Sequence, residues 1–275
     1  MKIIFLGTSA GEEYPGIWCE CENCSKARKW SGKNIRRNSS VILDKDVMID
    51  MGKTAHIQAE RFGVNLREIN TLLVTHSHLD HFNTHTLWTR CAAFPPPPHL
   101  NIFGGRQVFN ALISNDRYDA ESWNISFNTA EPYKKYNPCE NLEVYTLDGN
   151  HNDGQNRAVN YIITRRNRTF LYLSDTGWPF DKTLETLAKF KYDFIITEGT
   201  GGLSPDSGGH MNLNFNIKLF EFFNGNRLWK SSPDYYVTHI APHWAPPHDE
   251  YVLILAEHGL RLAYDGLVLE YPYDE

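Results

Sequence analysis

Residues 71–81, Thr71-Leu72-Leu73-Val74-Thr75-His76-Ser77-His78-Leu79-Asp80-His81, carry the reading on which the fold turns. The apolar, β-branched run predicts a buried strand, and its polar residues begin where that strand should end. Three imidazoles and one carboxylate within six positions cannot all point one way, so a loop leaving the strand would fan them toward two neighbouring points. His76 and His78 can converge on one cation while Asp80 and His81 face another. Neutral imidazole with carboxylate suits zinc, manganese or iron(II). A polar loop with scattered histidines is the plain alternative, but four ligand-type residues at this density after a strand are rare by chance.

Outward from this stretch, the chain of 275 residues is 41% hydrophobic, enough for a sizeable core in one unit spanning 1–275. Met1 to Leu6 is apolar but stops at Gly7, too soon for a signal peptide, and no later segment approaches membrane length. Five cysteines, an odd number, argue for a reducing compartment, with the cytoplasm as the default. With 33 acidic against 27 basic residues the chain is mildly anionic, which disfavours bulk nucleic-acid binding. Lys2 to Leu6 predicts a first strand, Ser40–Leu43 and Val47–Asp50 a hairpin, and Thr54–Phe62 a helix. Asp50, at a strand end, could orient a ligand histidine or serve as a turn aspartate; both readings stay open. Phe82–Cys91 is expected to be helical and the prolines at 95–98 extended. Residues 115–141 show no period, and the stretch near 94–141 is expected to be a variable insertion, able to cover the mouth of the site. Later come a helix at Asn212–Phe223, a helix at His248–His258 and a closing hairpin across Tyr264-Asp265-Gly266-Leu267.

Near the start, Trp18-Cys19-Glu20-Cys21-Glu22-Asn23-Cys24 gathers three thiols within six residues. Disulfides between cysteines so close would be strained, whereas thiolates on a tight loop can share one tetrahedral zinc if a distant fourth ligand closes the site. Structural zinc is therefore favoured over free or redox-active thiols. Cys91 and Cys139 stand alone and read as buried thiols.

His-x-His-x-Asp-His resembles the signature of the metallo-β-lactamase superfamily. The cysteine segment, followed by Lys26-Ala27-Arg28-Lys29 and Arg36-Arg37-Asn38-Ser39-Ser40, is similar to the N-terminal region of the PhnP-type phosphodiesterases, the carbon-phosphorus lyase accessory enzymes of that superfamily. The resemblance implies an α/β fold, a four-layer αββα sandwich with the metals at one sheet edge. It implies that His151 completes the first metal site, Asp175 bridges two ions and His239 closes the second, while Asp153 is a weaker candidate. It makes His243 the fourth ligand of the cysteine zinc, with His248 as the fallback because the spacing is about one residue longer here. His210, in Gly208-Gly209-His210-Met211-Asn212, resembles the non-ligand histidine that assists leaving-group departure; a local hydrogen bond at a helix start is its plainer reading.

The expected function is a phosphodiesterase using two divalent ions, zinc or manganese with iron as a further option, beside one structural zinc. Two such ions outweigh the charge of Asp80 and Asp175 and would draw in a phosphodiester anion. A bridging hydroxide would attack phosphorus, with Asp80 and His210 as the catalytic residues and His210 protonating the departing alkoxide. The implied substrate is a small phosphate diester, cyclic phosphates foremost. Rivals are a tRNA-processing nuclease, which lacks an evident basic arm here, and a lactone or thioester hydrolase using the same ligands. A diiron redox protein of the superfamily would carry glutamate in place of His78 and a flavin partner domain. A homodimer stays open.

Overall fold

Successive strand residues face opposite sides, and in Phe170-Leu171-Tyr172-Leu173 both sides are apolar, so this strand must be covered twice. The computed structural model, which describes residues 1–152, 157–206 and 208–273, shows by what. Asp153 lies outside the described residues. Phe170 and Tyr172 enter a core between two sheets, beside Tyr161, Phe194 and Tyr236 of their own sheet and Phe5, Ile49 and Leu73 of the facing one. Leu171 and Leu173 join a second core on the outer face.

The first sheet contains β1 (Lys2–Gly7), β2 (Ser40–Leu43), β3 (Val47–Ile49), β4 (Thr71–Leu73), β5 (Leu100–Gly104) and β6 (Ile125–Thr129). The second contains β7 (Lys135–Cys139), β8 (Leu142–Asn152), β9 (Arg157–Arg165), β10 (Arg168–Leu173), β11 (Phe194–Glu198), β12 (Tyr235–Thr238) and β13 (Arg261–Leu262). A last strand, β14 (Val268–Glu270), returns to the first sheet beside β1. The orders are β14-β1-β2-β3-β4-β5-β6 and β13-β12-β11-β10-β9-β8-β7. Parallel pairing is confined to β3 through β6 in one sheet and β10 through β13 in the other. Parallel strands share one C-terminal edge, so loops leaving them converge.

The helices are α1 (Glu22–Trp30), α2 (Ala55–Arg61), α3 (Thr84–Trp88), α4 (Arg106–Ile113), α5 (Ala120–Trp123), α6 (Asp181–Leu187), α7 (Leu213–Gly225) and α8 (His248–Ala256). Residues of α2 to α5, among them Ala59, Leu87, Leu112 and Trp123, cover Ile42, Leu72 and Ile102 on the outer face of the first sheet. Residues of α1, α6, α7 and α8, among them Ala27, Leu187, Phe223 and Tyr251, cover the second. The layers therefore run α, β, β, α. Among the described residues no helix is long and apolar enough to cross a membrane.

Two expectations from the sequence need correcting. The closing hairpin does not form, because β13 and β14 belong to different sheets. The backbone of Phe5 takes up residues 266 and 267, through Gly266 N–H on its carbonyl (2.8 Å) and its own N–H on Leu267 (2.9 Å), and so draws the turn across to β1. Within 115–141, where no period was visible, α5, β6 and β7 form; the two strands are the edges of the two sheets. Edge strands bury few residues: β6 is exposed at Asn128 and Thr129, and β7 carries a proline.

Candidate metal centre

Six strand ends meet at one place. Asp50 follows β3, the 76–81 loop follows β4, Asp175 follows β10 and His239 follows β12, while His151 and Glu198 lie at the ends of β8 and β11. His210 arrives from the loop before α7, whose N-cap Asn212 accepts from Phe215 N–H. Asp50, Asp175 and His239 all adopt positive φ, 58°, 49° and 54°. Left-handed backbone at a residue with a side chain costs on the order of 1 kcal/mol or more, so the packing around these three overrides a local preference to aim them. Gly52 is required for a related reason: its Cβ position lies 2.0 Å from the Asp80 carbonyl, which leaves no room for a side chain.

The donors fall into groups that share Asp175. His76, His78, His151 and Asp175 form one; Asp80, His81, His239 and Asp175 another; Glu198 and His210 join Asp175 in a third. In the first, His76 Nε2 is 2.9 Å from His78 Nδ1 and 3.1 Å from Asp175 Oδ2, with His151 Nδ1 3.7 Å from Asp175 Oδ1. In the second, His81 Nε2 lies 3.0 Å from His239 Nε2, 3.3 Å from Asp80 Oδ2 and 3.5 Å from Asp175 Oδ2.

The hydrogen bonds behind these rings decide whether a cation fits. Asp50 Oδ2 can only accept, so at 2.8 Å it fixes the proton of His81 on Nδ1. Thr200 Oγ1 gives its hydrogen to the His239 carbonyl (3.1 Å) and accepts from His239 Nδ1 (2.8 Å). Both Nε2 atoms therefore present lone pairs to each other, 3.0 Å apart and hemmed by carboxylate oxygens. Such an arrangement repels itself unless a proton or a metal ion stands between the atoms. His151 Nε2 is also buried without a hydrogen-bond partner among the described residues. The donor set fits borderline divalent ions.

The same demand for positive charge shows in the acid–base behaviour. Burial opposes charge on His81, yet Asp80 and Asp50 lift its basicity well above the usual imidazole range. Proton and metal ion compete for that point. Burial and the neighbouring His81 push His76 down to about 4, and burial lowers His151. Asp80 and Asp175 remain well below the ordinary carboxylate range because the histidines outweigh the effect of burial.

Asp50 is wholly buried and accepts from Thr75 N–H (2.8 Å) and Thr75 Oγ1 (3.0 Å) as well as His81, which makes it an orienting group and not a solvent-exposed turn residue. Replacing it by Asn removes the anionic acceptor, so Asp50→Asn should weaken metal affinity by about 10- to 100-fold. Competition with a calibrated chelator measures this; unchanged affinity would refute the orienting role.

Glu198 was not singled out from the sequence, although it ends a strand as other site residues do. It is wholly buried; Oε1 accepts from Met211 N–H (2.8 Å) and Oε2 from Thr200 N–H (2.6 Å). His210 Nδ1 sits 3.1 Å from Glu198 Oε1 and 3.0 Å from Asp175 Oδ1. Burial acts to lower the basicity of His210, but these two carboxylates overcome it and raise it to about 11. A cation on Asp175 would draw that value back toward neutrality.

The cysteine loop forms a separate group, Cys19, Cys21 and Cys24, whose sulfurs lie close enough for one ion. His243 Nδ1 is 3.9 Å from Cys19 Sγ. Two ligands of a tetrahedral zinc, one sulfur and one nitrogen, stand about 3.6 Å apart, so His243 lies near that spacing from Cys19 but outside the group the three sulfurs form. His248 is engaged elsewhere, with Nδ1 3.0 Å from the buried Arg36 Nη2. Cys91 is exposed, contrary to the buried thiol expected from its isolation, and Cys139 is half-buried; both lie outside these groups.

Solved structures share this architecture. A diphosphatase from the PhnP family superposes with a TM-score of 0.77 at 21% identity, 98% of each chain being covered. Zinc-bound PqqB from Methylobacterium extorquens gives 0.76 at 17% identity, over 98% of this chain and 100% of that one. The short form of human tRNase Z gives 0.66 at 17% identity, over 99% and 100%. Likeness at these identities establishes the fold. A comparison of the sequence with curated proteins returns no match. The family described as beta-lactamase superfamily domain matches residues 46–230, two thirds of the chain, including the 76–81 loop, His151, Asp175, Glu198 and His210. With that match and this fold, the chain belongs to the metallo-β-lactamase superfamily and is a metal-dependent hydrolase.

Proposed function

We propose that the protein is a PhnP-type phosphodiesterase acting on small phosphate diesters, cyclic ones among them, with two divalent cations, zinc or manganese, and a third zinc at the cysteine loop. His76, His78, His151 and Asp175 would hold one cation; Asp80, His81, His239 and Asp175 the other; Cys19, Cys21, Cys24 and His243 the structural zinc. When bound, the paired cations supply Lewis acidity and make coordinated water more acidic. The chain's own groups do the rest. Asp80 accepts a hydrogen bond from the attacking water and fixes its direction. His210, held by Glu198 and Asp175, carries a proton to the oxygen that leaves.

The position of His210 is the observation that carries this reading. It stands outside the two four-residue groups yet against their shared carboxylate, where a departing alkoxide needs an acid. Ligands alone would serve a lactone or thioester hydrolase equally. The histidine at position 78 argues against the diiron redox reading, and the clustered thiols suit a reducing, cytoplasmic setting.

The test is hydrolysis of bis(p-nitrophenyl) phosphate by protein stripped of metal and reloaded with manganese or zinc. Metal-dependent diester cleavage with little action on the monoester is expected. A loaded protein that leaves the diester untouched yet opens a lactone or thioester would overturn the substrate assignment.

A further inference from the structure

Ile17 and Trp18 are large apolar residues that stand out in solvent, Trp18 95% and Ile17 61% exposed. They form the tip of a turn closed by Cys19 N–H on the Gly16 carbonyl (3.1 Å). Several bonds hold this turn. Gly16 N–H meets Cys24 Sγ (3.3 Å), Arg28 Nη2 donates to the Gly16 carbonyl (2.8 Å), and Asn23 Nδ2 ties the segment to the carbonyls of Pro242 (2.9 Å) and Ala245 (3.1 Å). An indole on a fixed backbone loses little further freedom when a flat ring stacks on it.

Below Trp18 lies a groove of about 540 Å³, lined also by Glu12, Lys53 and His243. Lys53 connects it to the metal centre: Nζ donates to the Gly11 carbonyl (3.1 Å), and Gly11 lies against Asp80, its Cβ position 3.6 Å from the carboxylate. Lys53 is thus the groove's edge toward Asp80, whereas His210 lies on the side of Glu198. Its charge is mixed, because Glu13 sits 3.7 Å from Lys53 and Glu12 borders the groove. That balance suits a ring with sugar hydroxyls better than a second phosphate or a polyanion.

We propose that this groove receives the ester arm that stays on phosphorus, that this arm is a single nucleoside whose base stacks on the Trp18 indole, and that Lys53 meets a phosphate oxygen at the inner end. The assignment rests on the diesterase reading above and gives that site a substrate class. Trp18 is then a specificity-determining residue.

The test compares wild-type holoenzyme and Trp18→Ala on two diesters with one leaving group, the p-nitrophenyl ester of thymidine monophosphate and methyl p-nitrophenyl phosphate. Base stacking on an aromatic side chain predicts that Trp18→Ala lowers kcat/KM for the nucleoside diester about tenfold relative to its effect on the methyl diester, through KM more than kcat. Binding of thymidine monophosphate to both holoproteins, by calorimetry, should weaken by a similar factor. If wild type cleaves both diesters and the ratio is unchanged in Trp18→Ala, the subsite assignment fails while the diesterase reading stands. If neither diester is cleaved, that reading fails, and the calorimetry alone decides for or against nucleoside binding at Trp18.

Discussion

Asp175→Ala should lower kcat/KM for a phosphate diester by more than about a thousandfold, because losing even a partner behind a single ligand costs up to about a hundredfold and Asp175 is common to both groups. Its Oδ2 lies 3.1 Å from His76 Nε2 and 3.5 Å from His81 Nε2, so removing the carboxylate leaves the first cluster with nitrogen donors only and the second with Asp80 as its one carboxylate. His210 loses a partner at the same stroke. Elemental analysis of the purified variant should show a loss of bound metal parallel to the loss of activity. An Asp175→Ala protein that keeps full metal and full rate would remove the bridging role. Asp175→Asn, similar in shape but neutral, separates loss of charge from loss of packing at this buried position.

His210→Ala has the second largest expected effect, about 10²- to 10⁴-fold in kcat for diesters with poor leaving groups, at unchanged metal content. The unchanged metal content is expected because His210 is not among the residues grouped around His78 or around His239; a loss of metal would instead make the third group, Asp175, Glu198 and His210, a cation site. The size of the loss should depend on the leaving group. A p-nitrophenolate departs without a proton and should suffer little; an alkoxide cannot leave so easily and should suffer most. A series of leaving groups plotted against their acidity would therefore be steeper for the variant than for wild type. A uniform loss across the series would make His210 a positioning residue instead of the acid.

Much of this was legible in the sequence because the site is built from strand ends. An apolar run followed at once by donors announces both the strand and its purpose, as in Leu72-Leu73-Val74 before His76 and Tyr236-Val237 before His239. The four-layer sandwich came from the family resemblance that the 76–81 motif carries. Less legible were features set by neighbours distant in sequence. Asp50 has no local mark that separates it from a turn aspartate, because its role depends on His81, 31 residues away. Glu198 ended a strand in plain view, but only the approach of His210 and Met211 shows what its carboxylate holds. Strand β9 is buried without a break from Ala158 to Ile163 and therefore lacks the alternation that would announce it, while β6 and β7 bury too little to show a period. The crossing at residues 264–267 looked like an ordinary hairpin turn because nothing local reveals that Phe5 captures it.

The two sheets contribute unequally in time. His76, His78, Asp80 and His81 come from the first sheet, and His151, Asp175 and His239 from the second, so that His81 meets His239 across 158 positions of chain. During synthesis the first set emerges long before the last ring that faces it. A growing chain can therefore present a histidine cluster but has no means of enclosing a cation between Asp80, His81 and His239 until β12 has been made and laid beside β11. On the proposed two-cation reading, acquisition of that ion is a late event in the life of the molecule, and a chain truncated before residue 239 would lack the site for it however well its first half had folded.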